Sequence, residues 1–286
     1  MGRRLLILLG PTCVGKTDYS IGLARRYDSP IISCDSRQIY REMRIGTAVP
    51  SDEQLASVQH YFIQTKSVTD YYTAGIYERE ALDLIGRLFD EGHETLVMTG
   101  GSMFYIDAVC NGLGNVPTAD LSVRAALQQR VDSEGEGFLA SELEKLDPAA
   151  YAAMDLSNTQ RLFRAVEICL TTGRPYSSFK QSSPAERDFE IRKIGLARPR
   201  EELYDRINRR VLQMVSDGLV EEVEGLRGYR GLTALETVGY SEIFDYMDGK
   251  TSLQEAVELI QRNTRHYAKR QMTWWKKDRS IEWTGL

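Results

Sequence analysis

The stretch LLILLGPTCVGKT, residues 5–17, decides the fold. Leu5 to Leu9 is a continuous apolar run, the pattern of a strand buried on both faces of a parallel sheet. It leads directly into Gly10–Thr17, which matches G-x-x-x-x-G-K-[ST], the loop that cradles phosphates. Gly10 and Gly15 let backbone N–H groups turn inward and approach an anion closely. Between them, Pro11, Thr12, Cys13 and Val14 fill the variable positions of the cradle, and Cys13 is read as filler rather than a nucleophile. Lys16 is a point charge for the outermost phosphate, and the Thr17 hydroxyl is placed to ligate Mg²⁺. The helix that follows adds the positive end of its dipole. A glycine turn that merely carries a lysine lacks this context of buried strand before and amphipathic helix after. The ligand therefore carries a di- or triphosphate group; the motif does not say whether that group is attacked or leaves.

Around this stretch, 286 residues with 42% apolar and 27% charged side chains make an ordinary soluble globular chain of one large domain or two modest ones. No apolar run approaches the roughly 20 residues of a membrane span, and Met1–Leu9 is too short for a signal peptide, so a cytoplasmic protein with no membrane partner is expected. Cys13, Cys34, Cys110 and Cys169 form no C-x-x-C pair and read as reduced, buried thiols. His60, His93 and His266 have no metal-ligand spacing, so zinc is not expected. A net charge of −5 argues against general nucleic-acid binding. Yet Arg262–Arg279 holds seven Lys/Arg against one Asp, and 192–210 is rich in arginine. An acidic chain with such basic stripes can still hold one particular polyanion.

Along the chain, Asp18–Tyr27 reads as a helix and Ile31–Cys34 as a second buried strand, ending at Asp35 within DSRQIYREMRIGTAVP. Functional side chains in open α/β sheets gather beyond the carboxyl ends of strands, so Asp35, on the strand expected beside the P-loop strand, should face the same crevice. A turn or helix-cap aspartate is the alternative, since Ser follows. His60–Ile63 is a possible short strand, Thr73–Asp90 an amphipathic helix, and Thr95–Met98 a strand running into Thr99-Gly100-Gly101-Ser102. That glycine turn either donates N–H groups or allows tight packing.

From residue 118 strand-like runs disappear. Helices are expected at Leu121–Ser133, Phe138–Leu146 and Asn158–Thr172, a linker at Gln181–Pro184, and a returning strand at Phe189–Leu196. The last of these helices sets Gln160, Arg161, Arg164 and Glu167 opposite Leu162, Val166, Cys169 and Leu170; an ordinary solvated face is one reading of the polar set. The fold class is α/β: a P-loop NTPase-like parallel sheet core, residues 1–117 and 187–286, with a helical insertion domain at 118–186. Helices follow at Arg200–Ser216, with Arg206, Arg209 and Arg210 on or near one face, and at Leu219–Arg227. Thr237–Tyr240 then interrupts the helical pattern. The final helix, Ser252–Lys277, sets Arg262, Arg265, Lys269, Thr273 and Lys276 against Tyr267, Gln271, Trp274 and Trp275. Its basic side looks like a phosphate-backbone footprint, while the tryptophans dock it to the core.

Taken in order, GPTCVGKT (10–17), DSRQIYREMRIGTA (35–48), HYFI (60–63), TGGSMFY (99–105), QRLFRAVEI (160–168), VGY (238–240) and YAKRQMTWW (267–275) resemble the tRNA dimethylallyltransferases, or tRNA isopentenylpyrophosphate transferases. The resemblance spans nearly the whole chain. It implies transfer of a dimethylallyl group from dimethylallyl pyrophosphate to N6 of the adenosine 3′ of the anticodon in tRNA. It further implies Asp35 as general base, and Thr17 and Arg210 holding the pyrophosphate with Lys16, the loop N–H groups and Mg²⁺. Ser36, Arg37, Gln38, Ser102, Arg124, Gln160, Arg161, Leu162, Phe163, Arg164, Thr237, Gly239 and Tyr240 would lie along the tRNA, with the insertion gripping the anticodon stem-loop. A monomer is expected. Val49 departs from the lysine usual after IGTA; Ser102 replaces the usual threonine and keeps its hydroxyl; Thr237 and Ser241 flank VGY where basic or polar residues are frequent. Two other readings stay open: a P-loop kinase of a small metabolite, with Asp35 activating a hydroxyl, and an RNA-binding protein whose nucleotide pocket is only a switch.

Overall fold

The computed structural model describes residues 2–114, 117, 120–179 and 184–286. Arg4–Leu9 forms strand β1, and its five apolar side chains are at most 5% exposed. The chain continues through α1 (Lys16–Tyr27), β2 (Ile31–Ser33), α2 (Asp52–Ser57), β3 (His60–Tyr61), α3 (Ala74–Asp90), β4 (Thr95–Thr99) and α4 (Met103–Asn111). Helices α5 (Leu121–Glu134), α6 (Gly137–Leu146), α7 (Pro148–Ala153) and α8 (Thr159–Thr172) come next. Then follow β5 (Glu190–Ala197), α9 (Arg200–Ser216), α10 (Leu219–Gly225), α11 (Tyr240–Met247), α12 (Leu253–Trp275) and β6 (Ile281–Gly285). These elements form two compact units, one of Met1–Cys110 with Arg187–Leu286 and one of Asn111–Glu186. The expected start of the insertion at 118 and the expected linker residues 181–183 lie outside the described residues.

In the first unit the described strands form one parallel sheet in the order β3-β2-β4-β1-β5-β6. Leu6 faces Val97 on one side and Arg192 on the other. The neighbour of β1 is therefore β4, and the expectation that Asp35 sits on the strand beside the P-loop strand is corrected: β4 lies between. A position inside a parallel sheet needs a strand apolar on both faces. In β4, Leu96, Val97 and Met98 are all 0% exposed. Strand β2 is only three residues long, next to a two-residue edge strand, β3.

Five elements escaped the sequence reading, among them the six-residue helices α2 and α7. Helix α4 carries no polar stripe because Tyr105, Ile106, Ala108, Val109 and Cys110 are all buried. Helix α11 begins where the helical pattern breaks, at Gly239 with φ 99°, a backbone only glycine adopts freely. Strand β6 adds the last edge of the sheet. Its Trp283 packs so closely across Gly195 that a Cβ there would meet the indole at 2.6 Å. The two tryptophans of α12 also part company. Trp275 is 2% exposed in the core, whereas Trp274 is 43% exposed and donates its indole N–H to Asp107 Oδ2 at 2.9 Å. Consecutive residues on a helix lie about 100° apart, so both cannot face one core.

In the second unit α5, α6 and α8 keep within one residue of the expected bounds. Leu127, Leu139, Leu143, Leu162, Ala165 and Val166 form its centre. Glu167, set by its spacing on the polar side of this helix, is fully buried and accepts from Arg124 Nη1 at 3.0 Å and Arg164 Nη1 at 2.6 Å. A carboxylate is tolerated there because both charges opposite it are cationic hydrogen-bond donors. Leu170, expected on the apolar face, is 40% exposed.

Candidate active site

A loop whose N–H groups face inward must turn its carbonyls outward, and those carbonyls need donors. Gly10 has φ 148° and Gly15 φ 114°; even Cys13 is left-handed, at φ 65°. A Cβ on Gly10 would sit 2.7 Å from the Leu196 carbonyl oxygen, so the loop's first residue is held against β5. Lys16 Nζ donates to the carbonyls of Gly10 at 2.8 Å and Pro11 at 2.9 Å. Arg206 Nε donates to Cys13 O at 2.9 Å and Arg198 Nε to Val14 O at 2.8 Å. Arg206 stood out in the sequence on the arginine face of its helix, without this role; Arg198 was not singled out, although the arginine-rich stretch that carries it was.

Beside the loop, Cys13, Arg206, Arg209 and Arg210 line an open pocket of about 190 Å³. Arg209 pairs with Asp205 at 2.5 Å, whereas Arg210 makes no ion pair or hydrogen bond among the described residues. Burial lowers the Lys16 ammonium from 10.5 to about 8, with Arg210 pushing the same way and Asp35 opposing. The site thus concentrates the positive charge of Lys16 and Arg210, partly offset by the Asp35 carboxylate. The Thr17 hydroxyl, in the first turn of α1, engages no partner among the described residues. No three His, Cys, Asp or Glu side chains gather as metal ligands among them either.

Asp35 follows the end of β2. Its Oδ1 accepts the N–H groups of Arg37 at 2.9 Å and Gln38 at 3.2 Å. The turn-capping reading of this residue is real, and it leaves a second oxygen: Oδ2 makes no hydrogen bond among the described residues. One oxygen fixes the carboxylate while the other stays available as a base. The Gly100-Gly101 turn serves close packing. A Cβ on Gly100 would lie 2.5 Å from the Cys34 carbonyl carbon, and one on Gly101 2.7 Å from Gln271 Nε2.

Several residues expected along a polyanion turn inward instead. Ser102 is buried; its hydroxyl accepts Ser36 N–H at 2.8 Å and donates to Ser36 Oγ at 2.9 Å. Gln38 Nε2 donates to the carbonyls of Thr47 and Ala48. Tyr240 is 0% exposed and donates to Glu222 Oε1 at 2.6 Å, next to a buried Gly239 and a half-buried Thr237. Glu222, which the sequence reading did not single out, also accepts the N–H groups of Arg44, Ile45 and Gly46 at 2.6–2.9 Å. It fastens the IGTA loop. In the helical unit Leu162 and Phe163 belong to the core, Arg124 and Arg164 are half-exposed around Glu167, and Gln160 and Arg161 are exposed. Arg262 and Lys269 of α12, and Lys276 at its C-cap, are exposed.

A family model described as IPP transferase matches residues 38–278. The chain is 50% identical to the tRNA dimethylallyltransferase 1 of Bacteroides thetaiotaomicron, covering 98% of this chain and 90% of that one. It is 51% identical to the tRNA dimethylallyltransferase 1 of Porphyromonas gingivalis, over 98% and 93%. Among solved structures, the full-length tRNA isopentenylpyrophosphate transferase of Bacillus halodurans is 38% identical with a TM-score of 0.70, covering 99% of this chain and 90% of that one. A eukaryotic dimethylallyltransferase acting on tRNA shares the fold at a TM-score of 0.81 and 22% identity, over 99% and 74%. With the match running through the Asp35 loop, the glycine turn and the basic terminal helix over nearly the full chain, the protein belongs to the IPP transferase family.

Proposed function

We propose that this protein transfers the dimethylallyl group of dimethylallyl pyrophosphate to N6 of the adenosine 3′-adjacent to the anticodon of tRNA, releasing pyrophosphate, as a cytoplasmic monomer. The observation that carries the chemistry is the pairing of a cationic cradle, Lys16 and Arg210, with the nearby Asp35 carboxylate, whose Oδ2 is unengaged among the described residues. The names of the curated relatives support the substrates.

The allylic carbon tolerates carbocation character, so most of the barrier lies in the charge developing on the leaving pyrophosphate. Lys16, held on the Gly10 and Pro11 carbonyls, and the loop N–H groups are in place before that charge appears, with the Arg210 charge beside them, and preorganised donors are the largest usual contribution to catalysis. Arg198 and Arg206, by holding the loop's outward carbonyls, keep the N–H groups aimed inward. Adenine N6 is a weak nucleophile and must lose a proton as the C–N bond forms; Asp35 Oδ2 takes it. A magnesium ion bound at the Thr17 hydroxyl and the phosphate oxygens would supply further neutralisation of the leaving group. Taking the adenine out of the anticodon-loop stack costs roughly a few kcal/mol. Arg37, Arg124, Gln160, Arg161, Arg164 and the exposed cations of α12 meet the RNA, the helical unit gripping the anticodon stem-loop. Ser36, Gln38, Ser102, Leu162, Phe163, Thr237, Gly239 and Tyr240 shape that surface from behind.

Incubation with labelled dimethylallyl pyrophosphate and unmodified tRNA tests this. Label should appear in the tRNA with one pyrophosphate released per transfer and without ATP. ATP-dependent phosphorylation of a small molecule with no prenyl transfer would establish the kinase instead; tRNA binding without turnover would establish the switch.

A further inference from the structure

Helix α12 approaches the site through Gln271, a fully buried residue whose amide is used at both ends. Its Oε1 accepts the Thr12 N–H, inside the phosphate loop, at 2.8 Å, and its Nε2 donates to the Gly101 carbonyl, beyond the end of β4, at 2.8 Å. Tyr267, one turn earlier on the same helix, donates its hydroxyl to that same carbonyl at 3.0 Å. The approach leaves no slack: a Cβ on Gly101 would lie 2.7 Å from Gln271 Nε2 and 3.8 Å from Asp35 Oδ2. Ser102, the next residue, holds Ser36 through its hydroxyl, so the Gly101 segment is joined to the Asp35 turn. Sequence reading set Gln271 on the apolar side of the helix and gave it no role. An amide carries an acceptor and a donor on one flat group and can span two backbone sites in this way at any pH.

We propose that Gln271 is a positioning residue that sets the distance between the leaving-group cradle and the base. The cradle and Asp35 belong to strands separated by β4, so backbone pairing between their own strands cannot hold them in register. Gln271 bridges the gap from above, tying the loop after β1 to the turn after β4, which in turn holds Asp35. This rests on the prenyl-transfer reading, and the assay keeps the two apart: the parent protein must first transfer label to tRNA.

Three variants test it, with kcat, the KM for dimethylallyl pyrophosphate and thermal unfolding measured for each. Gln271→Leu keeps the volume and removes both bonds; kcat should fall about 10²-fold, the usual effect of a misplacement near 1 Å, while the donor KM changes less than about threefold. Tyr267→Phe leaves the amide bridge in place and should cost kcat less than about fivefold. Gln271→Glu matches the amide's donor and acceptor only when protonated. Its kcat relative to the parent at the same pH should therefore rise as pH falls. The glutamate variant keeps the test decisive if the leucine variant unfolds. A leucine variant with parental kcat and only a lower melting temperature would reduce Gln271 to core packing. A glutamate variant whose ratio to the parent is flat with pH, or a loss confined to donor KM, would equally overturn the proposal. A parent protein that transfers no label would instead defeat the functional reading beneath it.

Discussion

Raising the pH from 7 to 9.5 should weaken donor binding about 30-fold through Lys16 alone. Burial in the loop lowers its ammonium from 10.5 to about 8 in the free protein, and Arg210 adds to the effect. It is therefore about nine-tenths charged at pH 7 and only a few per cent charged at pH 9.5. A bound diphosphate restores the charge, so binding above pH 8 must take up a proton, and the affinity falls by that linkage. A lysine at its ordinary value would lose almost nothing over the same range. The ligand does not confound the result, because the last proton of a terminal phosphate leaves near pH 6. Isothermal titration with dimethylallyl pyrophosphate at half-unit steps, in buffers of differing ionisation enthalpy, reads both the affinity and the proton uptake. Stability of the free protein moves the other way. Between about 8 and 10.5 the unfolded chain binds more protons at Lys16 than the folded one, so this group favours folding more as pH rises. A donor affinity flat within twofold from pH 7 to 9.5 would refute the view that Lys16 waits in the cradle as a destabilised charge.

Asp35→Asn retains the acceptor for Arg37 and Gln38 N–H but cannot take the amine proton, so kcat should fall about 10²–10⁴-fold with donor and tRNA affinities nearly kept; prenyl transfer and ATP consumption are followed separately, and near-normal prenylation would remove Asp35 as the base. Lys269→Ala and Arg262→Ala, both exposed on α12, should each lower the slope of log K against log salt for tRNA by a little under about one unit, with donor binding unchanged. Unaltered slopes in both would take this helix out of the RNA interface. Glu222→Ala strips the acceptor from three N–H groups and the Tyr240 hydroxyl, for a loss of about 2–4 kcal/mol seen as a lower urea midpoint at constant slope. An unchanged midpoint would mean that solvent satisfies the IGTA loop as well as the carboxylate does.

The chain's own order of residues determined the phosphate loop, because every part of it is local. A buried apolar run, two glycines, a lysine and a threonine lie within thirteen positions, and the backbone conformations they require are intrinsic to those residues. Helices of the insertion were legible for the same reason, since their apolar spacing repeats every turn. Strand order was not. Crossover connections let β2 skip a place, and only packing put β4 beside β1. Tertiary structure also decided which polar residues face outward. Ser102, Gln38 and Glu167 look like surface groups in one dimension, yet each is drawn inward by a donor or acceptor well outside its own helical turn or strand pair. Gln271 and Glu222 show the limit most plainly. These partners lie 170 or more positions away, at Thr12, Gly101, Arg44, Ile45 and Gly46. Periodicity reports only which face of a helix is buried; what the buried amide or carboxylate meets is a property of the assembled sheet.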